Sequence, residues 1–138
     1  MASVSKPSAI RPAASTTGTP LLVTYGATVS VGDPLYLDAA DSKYKLAACN
    51  STSAIATVKG VALTPGVDAG YGYIMRTGSI IMVGSTLTVG KKYCVGTTAG
   101  TLIPDSDLVS TNYRSEVGTA ATSTQLDLDI NATNIVMP

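Results

Sequence analysis

The chain has 138 residues, 45% of them hydrophobic and 13% charged, with nine basic side chains against nine acidic and no histidine. This is the length of one domain, able to bury roughly two thirds of the surface of its unfolded form, and the composition is far from that of disordered chains. The charge balance excludes a global field for nucleic acid or an anionic membrane, no apolar run of about 18 residues could form a membrane helix, and the missing histidine removes the commonest general base and every Ser-His or Cys-His nucleophile pair.

Residues 1–20, "MASVSKPSAIRPAASTTGTP", are small and polar, with Lys6 and Arg11 as the only charges. They cannot bury enough apolar surface to offset the entropy of ordering, so they are expected to form an extended, flexible arm that orders on a partner. No apolar h-region follows the basic residues, so no secretory signal is expected. Residues 21–138 form the predicted body.

From Leu21 onward, short apolar or alternating runs are broken every few residues by Gly, Pro, Asp or Asn, the grammar of an all-β domain. In chain order the predicted strands are "LLVTY", "PLYLD", "YKLAA", "IATVKGVAL", "YGYIMR", "SIIMV", "KKYCV", "YRSEVGTA" and "QLDLDI". That is about nine or more short strands in a single barrel or sandwich. The last is the plainest: Leu126, Leu128 and Ile130 share one face, Asp127 and Asp129 the other. Nineteen threonines support the same reading, because β-branched side chains suit a pleated surface. No segment carries apolar residues at helical spacing over three turns.

A shift of 58 positions lays "VSVGDPLYL" over "LTVGKKYCV", matching Val31 and Gly32 to Val89 and Gly90. The same shift places Gly60, Ala62 and Thr64 on Gly118, Ala120 and Thr122. Two pseudo-repeated halves of one core are expected. In this alignment Lys91 replaces Asp33 while the glycine stays, so Gly32-Asp33-Pro34 reads as a sheet corner in which acid and base are interchangeable.

Candidate chemistry is sparse. Asp38 with Asp41, or Asp105 with Asp107, could pair as acid and base or hold a hard cation, but each pair lies where Asp serves turn hydrogen bonds. Tyr71 and Tyr73 in "DAGYGYIM" fall on one face of a strand and are candidate interface tyrosines. Lys91 and Lys92 sit at a hairpin and fall short of a basic stripe. Cys49 and Cys94 lack CxxC spacing and are expected to be reduced and half-buried, with a bridge between them as the alternative if the sheets bring them together. No catalytic, cofactor or metal residues are assigned.

Taken together, "VSVGDPLYLDAADSKYKLA", "TVKGVALTPGVDAGYGYIMRTGSI", "LTVGKKYCVGTTAGTLIP" and "EVGTAATSTQLDLDI" resemble the small β-rich decoration proteins of tailed bacteriophage capsids, also called cement or head-fibre-like proteins. The resemblance runs from about Tyr25 to Ile130 through turns and strands: "G-D-x-x-Y", "G-x-A", "G-x-I", "L-x-x-G-x-x-Y" and "AG-x-L-x-P". It implies a non-enzymatic homotrimer on the outer surface of the virion capsid, seated between major capsid protein subunits; the arm, with Lys6 and Arg11 as its contact residues, is then expected to order on acidic capsid surface or across a neighbouring copy. Two alternatives stay open: a tail-fibre or spike segment binding a host receptor, and a carbohydrate-binding or carboxylate-using enzyme domain.

Overall fold

Burial alternates along Tyr71 to Ile74, Ser79 to Val83 and Gln125 to Asp129, sorting side chains onto two faces, and the computed structural model, which describes residues 9–12 and 20–136, is all-β. Ala9–Pro12 forms β1. Leu21–Thr24 (β2), Pro34–Asp38 (β3), Lys43–Leu46 (β4), Val58–Ala62 (β5) and Tyr71–Met75 (β6) make one antiparallel sheet, in the order β2-β6-β5-β3-β4. Thr77–Val83 (β7), Lys92–Val95 (β8), Leu102–Pro104 (β9), Tyr113–Ala120 (β10) and Gln125–Val136 (β11) make the other, in the order β7-β11-β10-β8-β9, with β1 added outside β7. The result is a sandwich, in which helix is confined, among the described residues, to one turn at Ser53–Ala56 and a 3-10 turn at Asp105–Asp107.

Adding five to each strand number of the first sheet reproduces the order of the second, so the two expected halves are the two sheets. The hydrogen bonds repeat at the same 58-residue shift. Gly32 donates to Ala62 and Gly90 to Ala120, both at 2.8 Å; Ala62 donates to Asp33 and Ala120 to Lys91, both at 3.0 Å. Gly32 and Gly90 share a left-handed backbone, with φ of 85° and 83°, the region where a Cβ is penalised. The register slips recur too: Leu35 faces Gly60 and then Tyr36 faces Val58, as Tyr93 faces Gly118 and then Cys94 faces Glu116.

The side chains divide into two cores. Val58, Val61 and Met75 from the first sheet meet Ile80, Tyr93 and Leu126 from the second. The first sheet also curls around a smaller core of Val23, Tyr25, Val29, Leu35, Ala62 and Ile74. Its edges touch at one point, a bridge between Tyr25 and Tyr44 where the Gly26 N–H donates to the Tyr44 carbonyl at 2.8 Å, without closing a ladder. Each fully buried Ile, Leu or Met contributes about 1.5–3 kcal/mol, so the apolar face of either half is stabilised by the other.

Three sequence readings change. Ala9–Pro12, inside the stretch read as a flexible arm, lies on this chain's own β7, because pairing with an existing sheet edge needs backbone groups and little apolar surface. Strand β9 was not foreseen, its three residues being too few to show a period. Asp33 and Lys91 are not interchangeable. Asp33 is 2% exposed, its carboxylate accepting the Ser30 N–H at 2.9 Å, whereas Lys91 is exposed. The final apolar run through Val136 is the end of β11, paired with β10.

Candidate interaction surface

Tyr71 and Tyr73 alternate along β6 with Gly72 and Ile74, so the two rings point to solvent while Ile74 enters the small core. Tyr71 is 74% exposed and Tyr73 46%. Register places Leu22, 56% exposed, directly opposite Tyr73 on β2. The three side chains form an exposed apolar and aromatic face, the composition that favours protein contact.

The backbone beneath this face is tied down. The Tyr73 N–H donates to Thr64 Oγ1 at 3.0 Å, and its carbonyl accepts from the Leu63 N–H at 2.8 Å. Tyr25, wholly buried, donates its hydroxyl to the Thr64 carbonyl at 2.8 Å. A Cβ on Gly66 or Gly72 would run into the Tyr25 ring, which explains the second glycine of "GYGY": it admits a buried tyrosine. The exposed rings therefore stand on a pre-organised strand, which lowers the ordering cost of binding.

Two groups of charged side chains form compact clusters. Lys45 Nζ lies 2.7 Å from Asp38 and 3.1 Å from Asp41; its hydrogen bonds hold both carboxyls below the usual carboxylate range and raise its own pKa. The two carboxylates also accept the turn N–H groups of Ala40 and Lys43, so they serve the hairpin as expected. On β10, Arg114 Nε donates to Glu116 at 2.7 Å, and a terminal guanidinium nitrogen donates to Asp105 at 3.2 Å. Lys92 reaches the other Glu116 oxygen at 3.3 Å. Burial alone would raise the pKa of Glu116, but the hydrogen bonds from Arg114 and Lys92 outweigh it and hold the carboxyl below its ordinary value. This network escaped the sequence reading; the signal for it was the i, i+2 spacing of Arg114 and Glu116 on one strand face.

Burial pushes the Cys94 thiol up to about 12 and raises that of Cys49, and both are free, buried thiols. Among the described residues, no three His, Cys, Asp or Glu side chains form a metal cluster, and no helix is long and apolar enough to cross a membrane. Lys6 lies outside the described residues, and Arg11 falls in β1 opposite Ile81. The expected contact residues are thus not brought together: Arg11 belongs to the edge of one sheet, Tyr71 and Tyr73 to the other. Leu22 was missed because its place beside Tyr73 depends on a pairing 51 residues distant in sequence. No protein-family model matches the chain, and no curated protein matches it in sequence.

Proposed function

We propose that this chain is a structural virion protein that decorates the outer surface of a tailed-phage capsid between major capsid protein subunits and stabilises the shell. The observation that carries the reading is the exposed Leu22, Tyr71 and Tyr73 face, held on a pre-organised strand within a fold that repeats its turn grammar in two halves. That grammar is the part of the sequence that resembles the capsid decoration proteins. Such a protein works by linkage: whatever binds the assembled shell and not its open form shifts the equilibrium toward the closed one. Association of three copies would add avidity, because the second and third contacts form at high effective concentration.

The test mixes the purified full chain with undecorated tailed-phage capsids and, separately, with host cells, and images both by electron microscopy. Density at subunit junctions on the capsid is expected. A Tyr71→Ser, Tyr73→Ser double variant, folded by circular dichroism, should need on the order of tenfold more protein for equal occupancy. Bare capsids, or density on cells alone, would sink the decoration reading, the latter in favour of receptor binding.

A further inference from the structure

Asn112, Asn131 and Asn50 differ in what restrains the side-chain amide and the backbone N–H that follows it. Asn112 is 3% exposed; its Oδ1 accepts the Val109 N–H at 3.1 Å, and the Tyr113 N–H donates to the Cys49 carbonyl at 2.8 Å. Asn131 is exposed, but it lies in β11 opposite Glu116, with Ala132 opposite Ser115, so its backbone is held extended. Asn50 has neither restraint. It is exposed in a bend between β4 and the helical turn Ser53–Ala56, and Ser51 and Thr52 after it are exposed as well. Among the described residues, no acceptor meets the Ser51 N–H and no partner meets the Asn50 amide.

This combination exposes Asn50 to its own backbone. A bond from the Ser51 nitrogen to Cγ of Asn50 closes a five-membered ring, which needs the nitrogen uncrowded, its proton free to leave and the backbone free to turn. Ser51 has a small side chain and a free N–H, and no ladder fixes the bend. Asp41 and Ser42 have the same small follower and show what protection looks like. Lys45 and the Lys43 N–H hold the Asp41 carboxylate, and the Ser42 N–H donates to the Asp38 carbonyl at 2.8 Å.

We propose that Asn50 is a modification site, deamidated spontaneously through a cyclic imide with water as the only co-reactant. The Ser51 nitrogen loses its proton to solvent and attacks Cγ of Asn50. A C–N bond forms there, the bond from Cγ to the side-chain nitrogen breaks, and that nitrogen takes up a proton and leaves as ammonia. Water then opens the ring. Attack at Cγ breaks its bond to the Ser51 nitrogen and leaves aspartate; attack at the main-chain carbonyl breaks the original peptide bond and leaves isoaspartate.

Each event adds one acid to a chain of nine basic and nine acidic side chains, taking the net charge from zero to minus one. Isoaspartate also lengthens the backbone by one carbon between two anchored residues. Cys49 is bonded through its N–H to Gly96 and through its carbonyl to Tyr113, and Thr52 caps the helical turn by accepting the Ile55 N–H at 3.3 Å.

Neither the chemistry nor its test involves a capsid. The full chain is incubated at mildly alkaline pH, native and in urea, and followed by peptide mapping with mass spectrometry. In the native protein Asn50 should convert to acid on the order of tenfold faster than Asn131, which reacts only when β11 opens locally. In urea the two rates should converge, because Ser51 and Ala132 are both small. Asn50→Gln, whose longer side chain would have to close a six-membered ring, should remove the main acidic species from anion-exchange chromatography while keeping the parent circular dichroism. Equal native rates for Asn50 and Asn131, or an Asn50→Gln variant that acidifies like the parent, would overturn the proposal. A rate advantage for Asn50 that persists unchanged in urea would overturn the role given to the fold.

Discussion

Replacing Gly90 with alanine isolates a backbone cost that the repeat predicts. Gly90 has a φ of 83°, and a Cβ built on it meets nothing within 4 Å. No clash contributes, so the penalty is that of holding an L-residue in the left-handed region, about 1–2 kcal/mol. The Gly90 N–H donates to Ala120 and the Ala120 N–H returns to Lys91, so relaxing φ would break the pair that anchors the turn to β10. With an urea m-value of about 2 kcal/mol/M for a domain of this size, the midpoint of unfolding should fall by about 0.5–1 M at unchanged m. Asparagine, which tolerates this region better, should fall between glycine and alanine. An alanine variant as stable as the parent, or an asparagine variant worse than alanine, would refute the reasoning and with it the role assigned to the repeated glycine.

The neighbouring residue separates the two halves: Asp33→Lys should lower stability by about 3 kcal/mol or more, because it places a cation in a site built for a buried carboxylate, while Lys91→Asp should stay within about 0.5 kcal/mol, both read by urea unfolding. Glu116 has its folded pKa lowered from 4.5, so its contribution is complete above that value and is lost as pH falls through the lower folded value. Glu116→Gln should therefore cost about 1 kcal/mol at neutral pH, discounted for the exposure of Lys92, and flatten the acid limb of the stability curve; an acid limb identical to the parent's would count against the network. Cys49 and Cys94, both raised by burial, should resist a thiol reagent at pH 8 in the native protein and react as two thiols after denaturation. Rapid labelling of the native chain, followed by mass spectrometry, would contradict their buried placement.

Local pattern was enough for the fold class. Alternation in Leu126 to Ile130, β-branched composition and turn residues every few positions carry their information within a few residues, and the turn glycines at 32 and 90 recur because the left-handed backbone there penalises any residue with a Cβ. The faint 58-residue repeat was legible for the same reason, and it became two sheets of one topology. What sequence could not supply was every feature decided by which strands lie side by side. The burial of Asp33, the reach of Asp105 and Lys92 to Arg114 and Glu116, the seat of Tyr25 against Gly66 and Gly72, and the place of Leu22 beside Tyr73 depend on which strands and turns lie side by side. Periodicity assigns a side chain to a face of its own strand, but only the pairing of strands decides what that face meets.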